Sequence, residues 1–345
     1  MFRLYRQWMY DWETRLAERD TNRVVRPFEW GLEWMQDWPL VDGQWRNVTD
    51  AEAESFVRDL NRRIVSESDR FLAYKTPDDF RLEGNYLRFT SPVKTPYADN
   101  NLVMARWFPA RGSRAVIVLP QWNADAESHL GLCHIFNWLG ISALRLSLPY
   151  HDVRKPAEIE RADYAVSSNT ARSIDACRQA IADVRSCLDW LQARGYRQLG
   201  IIGTSLGSCY AFIASAHDER LRVNVFNHAS TYFADVVWTG QSTRHIRTGI
   251  EGDIDLERLR KNWLAISPAS YFDKFATYPK KSLLVYAKYD LTFSPELSRE
   301  IIAAFRQRGL DHRVAVLPCG HYTSGETPFK FLDAWYMARF LNTAF

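Results

Sequence analysis

The chain has 345 residues, 46% apolar and 25% charged, the composition of an ordinary soluble globular protein that can bury a large core. Its apolar and aromatic content excludes disorder, and no stretch approaches the roughly 18 apolar residues of a membrane helix. The net charge of +3, with acids and bases alternating along the chain, offers no clustered basic face for nucleic acid.

Arginine outnumbers lysine 35 to 9, a bias read as genomic composition rather than anion recognition. The opening residues, MFRLYRQWMYDWETRLAERD, are charged throughout and lack the apolar core of a secretory signal, so the expected compartment is cytoplasmic. Cys133, Cys177, Cys187, Cys209 and Cys319 are odd in number and scattered, with no C-x-x-C pair. They read as reduced thiols, with neither a disulfide framework nor a zinc site.

In chain order, residues 1–85 read as a helical N-terminal extension, with six of the 13 tryptophans (Trp8, Trp12, Trp30, Trp34, Trp38, Trp45) in the first 50 residues. Tyr5, Trp8, Trp12 and Leu16 mark one face of a helix. A second helix is expected over 51–71, with Thr49 and Asp50 as capping candidates. Tyr86–Thr90 and Leu102–Phe108 read as antiparallel edge strands. Beyond them strands at Ala115–Leu119, Ser142–Leu148, Leu199–Ile202, Val223–Phe226, Ser282–Ala287 and Arg313–Leu317 alternate with helices around Ala126–Leu139, Ser168–Arg194, Leu206–Ala216, Pro295–Arg308 and Glu326–Leu341. That alternation predicts an α/β fold over 86–345, a mostly parallel sheet flanked by helices. Ligands bind such sheets at the carboxyl ends of their strands.

Gly203-Thr204-Ser205-Leu206-Gly207 is a G-x-S-x-G directly between a strand and a helix, the context in which its serine is exposed on a sharp turn. A serine hydroxyl needs a base, oriented in turn by a third group. Asp290 follows the carboxyl end of strand Ser282–Ala287, and Gly320-His321 follows that of Arg313–Leu317. Both therefore reach the sheet edge that carries Ser205. His312 precedes its strand and falls at the opposite edge.

On GTSLG, Asp290 and Gly320-His321, residues 86–345 resemble the α/β-hydrolase superfamily. LPYHDVRKP (Leu148–Pro156) resembles a loop of poorly characterised intracellular members. The resemblance implies Ser205 as nucleophile, Asp290 as acid and His321 as base, with no cofactor and no metal. It also implies an oxyanion hole from the backbone N–H groups of Leu206 and Trp122. Many relatives carry His-Gly where this chain has Pro120-Gln121-Trp122.

Gln121, His151, Arg154 and His228 are candidate pocket residues. Arg154 and Lys155 could bind a substrate anion, although a solvated charged loop is the favoured reading. Asp235 is an alternative acid, and Cys209 is assigned to the core. Residues 231–280 are a candidate cap, with Phe233, Val236, Val237 and Trp238 as apolar lining.

The expected activity is hydrolysis of a small-molecule carboxylic ester or thioester. A peptidase or acyltransferase could use the same residues, and a non-catalytic binding or scaffold protein is the alternative from another class. The aromatic extension is expected to pack on the catalytic domain or on a second copy in a homodimer. Its acids Asp11, Glu13, Glu18 and Asp20 disfavour membrane contact.

Overall fold

The computed structural model describes residues 2–345. Helix α1 (Phe2–Ala17) leads through two 3-10 turns to α2 (Asp50–Ser66) and the short α3 (Ser68–Phe71). Thr49 and Glu52 close a capping box at the start of α2, so the two residues satisfy each other's backbone and end the helix there. A tight hairpin joins β1 (Arg81–Glu83) to β2 (Tyr86–Thr90). Gly84 in this turn has φ 58°, a conformation that costs glycine little. After α4 (Ala98–Asn101) come β3 (Leu102–Phe108), β4 (Arg114–Leu119), α5 (Leu130–Trp138), β5 (Ser142–Leu146), α6 (Thr170–Ala193), β6 (Gln198–Thr204) and α7 (Leu206–His217). The chain continues through β7 (Leu221–Asn227), α8 (Phe233–Thr239), α9 (Arg244–Ile250), α10 (Leu256–Asn262), α11 (Phe272–Phe275), β8 (Lys281–Ala287), α12 (Pro295–Gln307), β9 (His312–Leu317) and α13 (Phe329–Ala344).

Among the described residues the strands form one nine-stranded sheet, ordered β1-β2-β3-β5-β4-β6-β7-β8-β9. The pairs β1–β2, β2–β3 and β3–β5 are antiparallel and the remaining pairs are parallel. Every residue of β4 from Ala115 to Leu119 is buried, because helices cover both faces of a parallel sheet. Ala115, Ile117 and Leu119 enter one core, and Val116 and Val118 enter the other. Among the described residues no helix is long and apolar enough to cross a membrane.

The N-terminal segment contributes to both cores. Met9 of α1 is buried on the face covered by α5 and α13. Met35, Trp38, Leu40, Val57, Leu60, Ile64 and Phe71 join the opposite face, with α6 and α7. The connection between them crosses the carboxyl edge of the sheet. There Arg161 pairs with Asp20 at 3.2 Å, Arg23 donates to the Tyr322 hydroxyl at 3.0 Å, and Ser168 donates to the carbonyl of Arg26 at 2.9 Å.

The buried face of α1 differs from the 5-8-12-16 stripe. Met9, Glu13 and Leu16 are buried, whereas Trp8 is 46% exposed and meets Trp12 at a tilt, ring centres 5.1 Å apart. The face is turned because a carboxylate, Glu13, is drawn inward by polar partners that hydrophobic spacing does not register.

Residues 231–280, between β7 and β8, form the helical group α8–α11. Phe233 and Val237 are buried in the main core, so they face protein, and Phe233 meets Trp263 edge-on at 5.3 Å. Val236 packs with Phe293 and Leu297, and Trp238 is half-buried against the main core. α2 braces the group, as Asn61 accepts the backbone N–H of Ala265 at 3.0 Å and Glu54 pairs with Arg258.

Each large apolar side chain that the N-terminal segment buries contributes about 1.5–3 kcal/mol. Deleting residues 1–80 is expected to leave a protein that aggregates, or melts at least about 10 °C below the full chain. Thermal melts with light scattering check this, and an unchanged melting temperature would contradict it.

Candidate active site

The carboxyl ends of β4, β6, β7, β8 and β9 lie at one edge of the sheet, and their registers align the residues that follow. Leu119 pairs with Gly203, Thr204 with Asn227, Asn227 with Val285, and Ala287 with Leu317. Trp122, Ser205, His228, Asp290 and His321 all come just after these ends.

Ser205 has φ 57° and ψ −119°, a conformation that L-residues avoid and that surrounding structure must impose. Its backbone N–H donates to the Asn227 carbonyl at 2.8 Å, and its carbonyl accepts from the Ser208 N–H at 2.8 Å. The flanking glycines are required by contact. A Cβ on Gly203 would stand 2.1 Å from the Gly207 carbonyl oxygen, and one on Gly207 would stand 2.5 Å from that of Leu119. Only glycine lets the start of α7 press on the end of β4. That contact brings the backbone of Leu206, first residue of α7, beside the loop that carries Trp122. The first N–H groups of a helix have no partner within it and form the positive end of its dipole.

Trp122 is half-buried, and its indole N–H donates to the Ala162 carbonyl at 2.9 Å. Any oxyanion role is therefore left to its backbone. His245 stacks on its indole at 5.7 Å, and the Arg161 guanidinium lies 5.4 Å from its ring centre. Gln121 is half-buried beside it, and its carbonyl accepts the Ala124 N–H at 3.2 Å.

Asp290 is buried and receives four hydrogen bonds. Oδ1 accepts the backbone N–H groups of Thr292 and Phe293, each at 2.7 Å. Oδ2 accepts from His228 Nδ1 at 2.8 Å and from His321 Nδ1 at 3.0 Å. A carboxylate can only accept, so both imidazoles carry a proton on Nδ1. The rings of His228 and His321 lie 4.6 Å apart, and Phe293 stacks on His321 at 5.5 Å.

Burial alone would raise the Asp290 carboxyl. The His321 charge and the hydrogen bonds from both imidazoles reverse this and hold it below the usual carboxylate range. Burial opposes charge on His321 too, but Asp290, and more weakly Glu13, raise its pKa above the ordinary value. For His228 burial wins and lowers the pKa. Its Nε2 is buried with no hydrogen-bond partner among the described residues, so a second proton there would have no acceptor. Between Ser205 Oγ and His321 Nε2 no hydrogen bond is formed among the described residues. Apo sites often tighten such contacts only around substrate.

Two pocket candidates are structural. Arg154 is fully buried and pairs with Asp183 at 2.9 Å, donating also to the carbonyls of Asn100 and Ser147. For Arg154 this corrects both readings, as a substrate-anion site and as a solvated charge, whereas Lys155 is half-buried and donates to the Glu160 carbonyl at 2.7 Å. Charge runs look alike in sequence whether or not an acid from a distant helix meets them. His151 is also buried. Its Nδ1–H donates to the Pro149 carbonyl at 2.8 Å and its Nε2 accepts the Asn123 N–H at 3.1 Å. Burial lowers its pKa to about 4, so the neutral ring braces the loop next to Trp122. Asp235 is held by Arg260 at 2.5 and 2.9 Å and makes no contact with His321. Cys209 donates to the Ile266 carbonyl at 3.2 Å.

Glu13 and His129 also lie near the site, and no sequence motif marks either. His129 Nε2 is 3.1 Å from the Thr204 hydroxyl, and burial lowers its pKa to about 4. An acid on an otherwise apolar helical face is the one signal by which Glu13 could have been found.

No family model and no curated protein sequence matches the chain. Solved structures do. Acylaminoacyl peptidase from Pyrococcus horikoshii aligns with a TM-score of 0.60 at 12% identity, over 77% of this chain and 42% of its own. Acetyl xylan esterase 1 from a Thermoanaerobacterium species aligns at 0.55 and 13%, over 95% of this chain and 98% of its own. Est1E from Butyrivibrio proteoclasticus, solved with ferulic acid bound, aligns at 0.51 and 13%, over 70% and 95%. The chain thus spans less than half the length of the peptidase. The protein has the α/β-hydrolase fold.

Asp290→Asn is expected to move the His321 titration midpoint from above about 6.5 to below it, because burial would then be opposed only by the weaker pull of Glu13. Imidazole proton NMR against pH measures this, and an unchanged midpoint would contradict the assigned pairing.

Proposed function

We propose that the protein is a serine hydrolase that cleaves a carboxylic ester or thioester through an acyl-enzyme on Ser205. The observation that carries the reading is the buried Asp290–His321 pair, set at the sheet edge where Ser205 holds its strained turn. Ser205 Oγ attacks the substrate carbonyl as His321 Nε2 takes its proton. The oxyanion is received by the backbone N–H groups of Leu206 and Trp122. His321 returns the proton to the leaving alcohol or thiol, and Asp290 steadies the imidazolium between these transfers. Water then attacks the acyl-enzyme, with His321 again as base, and releases the acid. All of these groups belong to the chain itself.

Two features favour an ester over a peptide bond. Acetyl xylan esterase 1 aligns over nearly the whole length of both chains, whereas the peptidase aligns over 42% of its own. The helical group α8–α11 is packed down on the core rather than opened as a wide cleft for a polypeptide.

Ser205→Ala is expected to leave less than about a hundredth of the wild-type rate on p-nitrophenyl esters, with the melting temperature unchanged, since the loss is chemical. Retention of more than that would contradict the mechanism. The neutral form of His321 is the base, so protonation blocks the reaction and kcat/KM rises with pH. Because Asp290 raises the His321 pKa, the midpoint of that rise is expected above about 6.5. A midpoint well below that value would place the base elsewhere.

A further inference from the structure

The loop that follows the last strand is wrapped around a carboxylate from the other end of the chain. Glu13, in α1, is fully buried. Its Oε2 accepts the backbone N–H of Tyr322 at 3.0 Å, and its Oε1 accepts both the N–H and the hydroxyl of Thr323, each at 2.6 Å. The Thr323 hydroxyl in turn accepts the Gly320 N–H at 2.7 Å. His321 is thereby bracketed, with both its chain neighbours tied to one carboxylate, directly at Tyr322 and through Thr323 at Gly320.

The packing is as tight as the bonding. A Cβ on Gly320 would stand 2.2 Å from Glu13 Cδ, so the glycine is required by the acid above it. The same helix touches both loops: Tyr5 donates its hydroxyl to the Pro318 carbonyl of the His321 loop at 2.5 Å, and the rings of Tyr5 and Tyr10 meet Tyr289, next to Asp290, edge-on at 5.6 and 6.0 Å. An acid in this place exceeds what packing asks for. A buried carboxylate is costly unless donors converge on it, and here three do.

We propose that Glu13 is a positioning residue of the active site, supplied by the N-terminal helix, which sets the place of the His321 ring and adds negative charge behind its imidazolium. The proposal rests on His321 being the general base, as in the proposed mechanism. Charged and titratable groups around the two residues are Asp290 and His228 on the strand ends, Cys319 and Tyr322 on the His321 loop, and Arg23, Asp20 and Arg161 beyond Tyr322. Asp290, and more weakly Glu13 itself, are the anions that raise the His321 pKa.

Glu13→Gln in the full-length chain keeps the shape but removes the charge, and turns one acceptor into a donor facing an N–H. On p-nitrophenyl esters it is expected to lower kcat about 10- to 100-fold with KM changed less than about twofold. The rise of kcat/KM is expected to move to lower pH. Glu18→Gln, at an exposed position of the same segment, should change neither, and Ser205→Ala reports separately on the mechanism. If Ser205→Ala abolishes activity while Glu13→Gln keeps wild-type kcat and pH midpoint, the positioning role is refuted and the mechanism stands. If Glu13→Gln only lowers the melting temperature and active fraction, with the midpoint unmoved, its role is structural and the proposal also fails. If Ser205→Ala leaves activity intact, the mechanism falls and the positioning role falls with it.

Discussion

The site is organised around a single oxygen. Asp290 Oδ2 accepts from two imidazoles, at 2.8 and 3.0 Å, while Oδ1 is saturated by two backbone N–H groups. A buried carboxylate of this kind is stable only as an anion with converging donors. Its charge fixes the tautomer of both rings and leaves Nε2 of His321 as the free basic nitrogen. The same pairing separates the two histidines. His321 is drawn toward the charged form, and His228, burdened by burial, is held neutral. His228 then serves as a neutral donor that shares the acid, and its place just after Asn227 ties it to the strand that receives the Ser205 N–H.

The rest of the scaffold converges on the same edge by close backbone contact. The positive φ of Ser205 is imposed by a turn in which Gly203 and Gly207 leave no room for side chains. The N-terminal segment then closes the arrangement from outside. It packs Met9 against one face of the sheet and Met35 through Phe71 against the other. Between them it crosses the strand ends, delivering Glu13 to the His321 loop on one side and Asp20 to Arg161 on the other. The extension, expected from its tryptophans to pack on the domain that follows, thus bonds directly to the His321 loop and reaches the Trp122 ring through Arg161.

Much of the fold was legible because it rests on local pattern. Short apolar runs separated by helical periodicity locate the parallel strands to within a residue or two, and Gly195, with φ 90°, ends the long helix α6. Strand ends then place Ser205, Asp290 and His321 at one edge by topology alone. What stayed hidden depends on distant partners. β1 is three residues, too short for its alternation to mark a strand, and exists because β2 pairs with it. Arg154 reads as a surface charge until Asp183, from α6, is beside it. Glu13 reads as one acid among several on α1, and its meaning comes from Tyr322 and Thr323, about three hundred residues away. His228 was a pocket candidate, but nothing local could reveal that it shares an oxygen with His321.

The proposed chemistry requires Ser205 to be a nucleophile activated by the His321–Asp290 pair. The most direct measurement is incubation of the folded chain with a fluorophosphonate, followed by intact-mass and peptide mass spectrometry. One adduct per chain is predicted, on Ser205, absent in Ser205→Ala and formed far more slowly in His321→Ala. A folded wild-type chain that takes up no label, or carries it on another residue, would contradict the account.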